Sequence, residues 1–407
     1  MPRNVIYQTL GISNIQNFEQ KPVIKQKNKL IIPIKMKRAA IRCPQCQQKE
    51  INVKGWTERK LATPPIGSKP VVLKVEVPRV ECKQCPGIKH AHLPFAEPRK
   101  QHTRNFARYV VDLRKCMTIL DLARHLGVSE WMIRNIEKEY LKRHFDKPRL
   151  KDVQLIAIDE ICIGKGHRYL TVVIDLQTGA VLHTGDGKGA GALKAFWVRL
   201  KASHAKVKAV AIDMSPAFFS AVTENLPNAE IVFDHFHVVK LFNDKLSNLR
   251  RALFNEATEK LHKNALKGTR WLLLMNPENL NKEKNEQQRL QEALKLNKPL
   301  ATAYYLKEEL RQLWKQSSRK KGERFLDAWC RTAESSGIRM LQKFAKTMRI
   351  HRNGLLNWYD YPISTGPLEG TNNKIKTLQR QAYGYRDMEY FRLKLFALHK
   401  SSYKLIG

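Results

Sequence analysis

The stretch VQLIAIDEICIGKGHRYLTVVIDLQTGAVLHTGDGKG, residues 153–189, decides how the rest of the chain is read. Three runs rich in Val, Ile and Leu are separated by Gly-bearing turns, which predicts three adjoining strands. Asp159 interrupts the first run. An ionised carboxylate is disfavoured inside a strand and costly to bury, so this position needs a compensating partner. Glu160, next along, points to the other strand face and is read as structural. Asp175, in DLQTG, is read as a turn former. The Gly-rich GDGKGAG (185–191) lacks the Gly-Lys-Ser/Thr ending of a phosphate loop and is read as a flexible turn.

Downstream, GALKAFWVRLKA (191–202) has helical spacing, KAVAIDM (208–214) is a strand, a helix starts at Pro216, and AEIVFDHF (229–236) is another strand. Three adjoining strands followed by alternating helices and strands predict a mixed sheet with helices packed on it. Asp213, at the end of its strand, repeats the anomaly of Asp159. From 238 to 350 the chain has long amphipathic stretches and no convincing strand, so a helical block is expected, with Trp271, Trp314 and Trp329 in its core. Then STGPLEGTNNKIKTLQR (364–380) carries one acid, Glu369, among basic residues. With Asp159 and Asp213 it makes three carboxylates from distant segments. Such a trio suits two Mg2+ (or Mn2+) ions about 3.5–4 Å apart, arranged for in-line phosphodiester chemistry. Asn373, Lys376 and Arg380 fall on roughly one helical face, and with Asn372 and Lys374 could contact phosphates. In DHFH, Asp234 is a candidate auxiliary acid or a helix N-cap, with His237 beside it.

The segment before this sheet has a different character. CPQC and CKQC place Cys43, Cys46, Cys82 and Cys85 as two C-x2-C turns, a donor set for one structural Zn2+. Residues 47–81 between the pairs exceed the usual ribbon spacing, so a long hairpin must join them. His90 and His92 are read as surface residues, and the lone Cys116, Cys162 and Cys330 as core filler. In TILDLARHLGVSEWMIRNIEKEY, Leu120, Leu122, Ala123 and Leu126 make an apolar face, Gly127 permits a turn and Ser129 can cap a second helix. This is helix-turn-helix spacing, with Trp131, Arg134 and Asn135 near base edges.

The 407 residues carry 74 Lys and Arg against 37 Asp and Glu, a net charge of +37. Basic residues occur throughout the chain, which points to a polyanion such as double-stranded DNA contacted by several domains. Hydrophobic residues at 43% support a packed core and argue against a disordered polymer. No apolar run is long enough to span a membrane and the start lacks a leader pattern, so a cytoplasmic, nucleoid-associated protein is expected.

The paired cysteines, the helix-turn-helix, AIDE with GHRYLTVVIDLQTG, AIDMSPAF, FDHFHVVK and STGPLEGTNNKIKTLQRQAYGYRD together resemble bacterial insertion-sequence transposases of the DDE class, specifically the ISL-three family. The resemblance covers nearly the whole chain. It implies a ribonuclease-H-like catalytic domain with Asp159, Asp213 and Glu369 as catalytic and Mg2+-binding acids, and a helical insertion between the last two. It also implies cleavage at transposon ends and strand transfer to target DNA, without a covalent protein intermediate. The expected fold class is multidomain α+β: a zinc ribbon (1–100), a helix-turn-helix (101–150), a ribonuclease-H-like mixed-sheet core (151–237), an all-helical insertion (238–362), and a core-completing segment with Glu369 (363–407). A homodimer is expected, because two ends must be processed together. The alternatives are a structure-specific nuclease on the same fold and a non-catalytic DNA-binding regulator.

Overall fold

The structure, a computed structural model, describes residues 3–164 and 166–399; the parts of the expected domains at 1–2, 165 and 400–407 lie outside the described residues. The chain forms two compact units, one of residues 1–147 with 381–407, the other of 148–380. The zinc ribbon and the helix-turn-helix expected as separate domains share the first unit.

In that unit a short helix α1 (Arg3–Thr9) precedes strands β1 (Phe18–Gln20), β2 (Ile24–Gln26), β3 (Lys29–Met36), β4 (Ile51–Ile66), β5 (Lys69–Cys82) and β6 (Ile88–His90). The sheet runs β1-β3-β5-β4, with β2 on β3 and β6 on β5. The long hairpin that the cysteine spacing demanded is β4–β5, paired from Ile51↔Cys82 to Ile66↔Lys69. Along β5, Val71, Leu73, Val75 and Val77 are buried while Lys74 and Glu76 sit on the other face, the two-residue period of a half-buried strand.

Helices α2 (Arg104–Leu113), α3 (Ile119–Leu126) and α4 (Glu130–Phe145) follow. Each is started by a side-chain cap: Thr103 accepts from Phe106 N–H, Thr118 from Asp121 N–H and Ser129 from Met132 N–H. Gly127, at φ +65°, supplies the left-handed turn between α3 and α4. Leu122, Ala123 and Leu126 pack against Phe106, Val110, Ile133 and Ile136. Leu120, expected on that face, is 41% exposed. Two residues advance a helix by about 200°, so Leu120 and Leu122 cannot share one stripe.

The second unit holds the mixed sheet: β7 (Leu155–Gly164), β8 (Arg168–Asp175), β9 (Val181–Asp186), β10 (Ala209–Ile212) and β11 (Glu230–Phe233), in the order β11-β10-β7-β8-β9. β7, β8 and β9 are antiparallel; β10 pairs parallel with both β7 and β11. This is the ribonuclease-H-like arrangement. Helices α5 (Lys194–Ser203) and α6 (Pro216–Asn225) contribute Phe196, Trp197, Phe218 and Val222 to its core. The helical block begins directly after β11, with α7 (His235–Glu256), and continues through α8 (Lys260–Leu266), α9 (Arg270–Leu274), α10 (Glu286–Leu296), α11 (Lys298–Leu310), α12 (Arg319–Ser335), α13 (Arg339–Ile350) and α14 (Arg352–Leu356). Phe242, Trp329 and Phe344 meet edge-on at its centre, and Trp314 is also buried. Trp271 is not in the core. It is 65% exposed, because α9 turns Leu272 and Leu273 inward instead. Of the lone cysteines only Cys330 fills core; Cys116, at the α2–α3 turn, and Cys162, near the end of β7, are exposed. Helix α15 (Gly366–Gln381) closes the unit.

The segment 363–407 does not all complete the catalytic core. From Gln381 onward the chain belongs to the first unit, where α16 (Met388–Phe396) packs Tyr390 and Leu393 against Leu141 of α4. The physical reason is a buried ionic cluster. Glu137 of α4 accepts from Arg114 Nε at 2.7 Å and Lys394 Nζ at 2.6 Å, and from the Tyr390 hydroxyl. Burial alone would raise the Glu137 pKa, but Lys394 and Arg114 outweigh it and hold the carboxyl below the usual range. Glu137→Ala leaves two buried cations facing each other and is expected to destabilise the first unit by about 3 kcal/mol in urea unfolding. A depressed folded-state pKa gives stability that is present above the unfolded carboxyl pKa and lost as pH falls through the folded one. Wild type should therefore lose stability in acid below about pH 4, and Glu137→Gln should flatten that loss.

Candidate active site

Parallel pairing sets the level of the acids on the sheet. Ala211 of β10 lies opposite Ala157 of β7, and Ile212 lies opposite Phe233 of β11. Carrying the register to the strand ends puts Asp213 level with Asp159 on one side and with Asp234 on the other. Neighbouring strands are about 4.8 Å apart, so three carboxylates line one edge. Asp213 accepts from Ser215 N–H at 3.0 Å, an Asx turn that leads into α6. Asp159 accepts from Glu160 N–H at 2.7 Å. Burial raises the Asp159 pKa; this N–H and the nearby His237 oppose the rise, and the charge of Asp213 adds to it.

Helix α15 brings the third predicted acid. Leu368, Thr371, Asn372 and Ile375 form its buried stripe, and Glu369 borders that stripe on the exposed side. Asn372 donates from Nδ2 to Asp159 Oδ2 at 2.9 Å, and two turns later Gln379 Nε2 donates to the Ile163 carbonyl at 3.0 Å. Seven helical residues rise about 10.5 Å and four strand residues about 13 Å, so α15 runs along β7 in the same direction. The Oδ1 atom of Asn372 is buried with no hydrogen-bond partner. A hard oxygen left unsatisfied beside two aspartates fits a divalent cation of the Mg2+ type. The three acids do not form one tight cage: among the described residues, the four cysteines are the only group bringing three or more such ligand atoms within 4.8 Å of one another. Two cations about 4 Å apart, each with Mg–O bonds of about 2.1 Å, accept ligand oxygens up to about 8 Å apart.

Asp234 is 2% exposed and fully engaged. It caps α7 by accepting from Phe236 N–H at 2.7 Å, and its second oxygen accepts from the Thr365 N–H at 2.7 Å and from the Thr365 hydroxyl. The Thr365 carbonyl in turn accepts from Glu369 N–H at 2.9 Å. Asp234 thus sits at the strand edge as a clasp for the turn that starts α15, a role the sequence reading did not assign to it or to Thr365. A Thr four residues before Glu369, ahead of a Gly-Pro helix start, was the available signal. His237 is half-buried one turn into α7. Glu160 accepts from Gly189 N–H at 3.0 Å and pins the turn after β9. Asp175 accepts from Gln177 N–H and the Thr178 hydroxyl, a turn former as read.

In the first unit Cys43, Cys46, Cys82 and Cys85 converge, with Cys46 and Cys82 sulfurs 3.5 Å apart. A tetrahedron with Zn–S bonds of about 2.3 Å has S–S edges of about 3.8 Å, so this soft, four-thiol set fits a structural zinc. Backbone N–H groups of Cys46 and Gln45 hold the Cys43 thiol down to about 6. His90 sits beside Thr57 Oγ1 at 3.2 Å and is not a ligand; His92 is exposed. On α4, Trp131 is 70% exposed, Arg134 is exposed and Asn135 half-buried. Asn373, Lys374, Lys376 and Arg380 are exposed on α15.

Cys82→Ser should lower the zinc content of purified protein from about one ion per chain, read by mass spectrometry, and unfold the hairpin end. Thr365→Val removes one donor from a buried carboxylate and should cost about 1–3 kcal/mol of second-unit stability, whereas Thr365→Ser should restore most of it.

Comparison with known proteins bears on most of the chain. A transposase family model of the DDE ISL3 type matches residues 156–395, a model for the zinc-finger of transposase IS204/IS1001/IS1096/IS1165 matches 39–85, and one for the helix-turn-helix domain of transposase family ISL3 matches 91–141. The chain is 34% identical over 371 residues to the transposase for insertion sequence element IS1001 of Bordetella parapertussis, covering 90% of this chain and 91% of that one. It is 30% identical over 348 residues to the transposase for insertion sequence element IS1557 of Mycobacterium tuberculosis, covering 79% and 77%. No helix among the described residues is long and apolar enough to cross a membrane. With a zinc-finger, a helix-turn-helix and a transposase model matching in succession from residue 39 to residue 395, the chain belongs to the ISL3 family of transposases.

Proposed function

We propose that this transposase cleaves DNA at the ends of an insertion sequence and joins the freed 3′ ends to target DNA, with Asp159, Asp213 and Glu369 as the catalytic carboxylates. The observation that carries this reading is the bond from Asn372 to Asp159, which seats the helix of Glu369 on the strand of Asp159. Glu369 lies three residues before Asn372, about 4.5 Å back along the axis and on an adjoining face. A glutamate side chain is long enough to span that offset toward Asp159 and Asp213, which supports the reading.

When bound, two divalent cations, Mg2+ or Mn2+, would activate a water and stabilise the leaving 3′-oxygen. The chain's own residues do the rest. Asp159 presents its oxygens from the middle of β7 and Asp213 from just past the end of β10, and Glu369 presents its carboxylate from the exposed border of α15, where it can adjust to a substrate. Asn373, Lys374, Lys376 and Arg380 line the exposed side of the same helix and hold backbone phosphates beside the scissile bond. No serine, cysteine or tyrosine nucleophile is required. The helix-turn-helix reads the element end through Trp131, Arg134 and Asn135, and the zinc ribbon adds phosphate contacts. Synapsis of two ends calls for a homodimer, acting on cytoplasmic DNA. A structure-specific nuclease would share the cleavage step and lack the joining one.

Asp159→Asn, Asp213→Asn and Glu369→Gln should each abolish Mg2+-dependent cleavage of a labelled element end while leaving end binding within about twofold. Cleavage retained by any variant removes that residue from the set. Pre-cut ends incubated with plasmid distinguish the two readings: joined products mark a transposase, cleavage alone a nuclease.

A further inference from the structure

Helix α4 carries its cations unequally. Its first turns present Trp131 and Arg134 to solvent, whereas Lys138 and Lys142, one and two turns further on, are occupied. Lys138 meets Asp387 at 2.7 Å and Glu389 at 2.8 Å, and Lys142 meets the other oxygen of Glu389 at 2.8 Å. Both acids come from the start of α16, some 250 residues later in the chain. Asp387 is also fixed as the α16 N-cap by Tyr390 N–H at 3.0 Å. In a chain with twice as many bases as acids, two acids placed on two neighbouring lysines of one helix are a specific arrangement.

The pairs add little stability. Lys142 and Glu389 are 58% and 51% exposed, Lys138 and Asp387 24% and 38%, and pairs open to solvent contribute weakly beside a buried one; α16 is held by the buried Glu137 cluster instead. Their consequence lies in DNA binding. Lysines on the later turns of a recognition helix reach phosphates, which carry affinity without sequence information. A protein at +37 already has a surplus of such affinity, and specificity is the ratio of end binding to binding elsewhere.

We propose that Asp387 and Glu389 are specificity determinants: they hold Lys138 and Lys142 away from DNA phosphates and so restrict α4 to its base-reading turns. The proposal rests on α4 being the DNA-reading helix. The test uses full-length protein carrying Asp387→Asn and Glu389→Gln together, since Asn still caps α16. Anisotropy titrations across a salt series use a random-sequence duplex and a duplex of the element's terminus, with thermal unfolding as the check on folding. Freeing two lysines should steepen the log–log salt slope on the random duplex by about 1.8, tighten that binding about tenfold at about 0.1 M salt, and lower the preference for the terminus. An unchanged slope and preference overturns the proposal. In the otherwise wild-type protein, Lys138→Ala with Lys142→Ala should leave the slope unchanged; a drop of about 1.8 would mean that both lysines already hold phosphates, and overturns it too. Arg134→Ala separates the two levels of the argument. Lost preference for the terminus supports α4 as the reading helix, and retained preference overturns that reading and the masking proposal with it.

Discussion

A single buried carboxylate joins parts of the chain that are 131 residues apart, and the seating of α15 on the mixed sheet depends on it. Asp234 ends β11 and starts α7, so it stands at the entrance to the helical insertion; Thr365, its partner, stands at the exit. An insertion of this length would leave α15 loosely attached if only chain connectivity held it, because closing so long a loop carries an entropic cost. The clasp fixes the exit at the sheet edge. Asn372 and Gln379 then lay the helix along β7. The Asp234 bonds also give both oxygens of a carboxylate taken out of water their hydrogen-bond partners.

The two units solve opposite electrostatic problems. At the sheet edge, like charges are gathered: burial and the nearby charge of Asp213 both push the Asp159 pKa up. In the helix-turn-helix unit, scarce acids are spent on neutralisation. Glu137 is enclosed by Arg114, Lys394 and Tyr390, while Asp387 and Glu389 sit on Lys138 and Lys142. Both patterns are invisible in a net charge.

Much of this was legible from residues alone. Strand and helix periodicity located β7 to β11 and the helical block, because hydrophobic spacing reports which face of an element is buried. The cap at Ser129 and the turn at Gly127 follow from local backbone chemistry. Reading failed where neighbours in space decide. Trp271 looks like a core anchor by type, yet a short helix has room for one inward face and Leu272 and Leu273 take it. Leu120 was misplaced by angle, and Cys116 and Cys162 by the assumption that a lone cysteine is filler. Asp234 could be narrowed to an acid or a cap, and it serves as a cap that also binds a distant turn.

The sequence by itself determined the element types, the four-thiol donor set and the family, because these rest on short-range spacing and on residue chemistry. Only the tertiary structure decided that the chain after Arg380 joins the DNA-binding unit, that Asp234 clasps Thr365, and that Asn372, read as a phosphate contact, touches Asp159. Each of these pairs residues more than a hundred positions apart. No local propensity encodes such a pairing; it follows from which buried polar groups must find partners once the cores have formed.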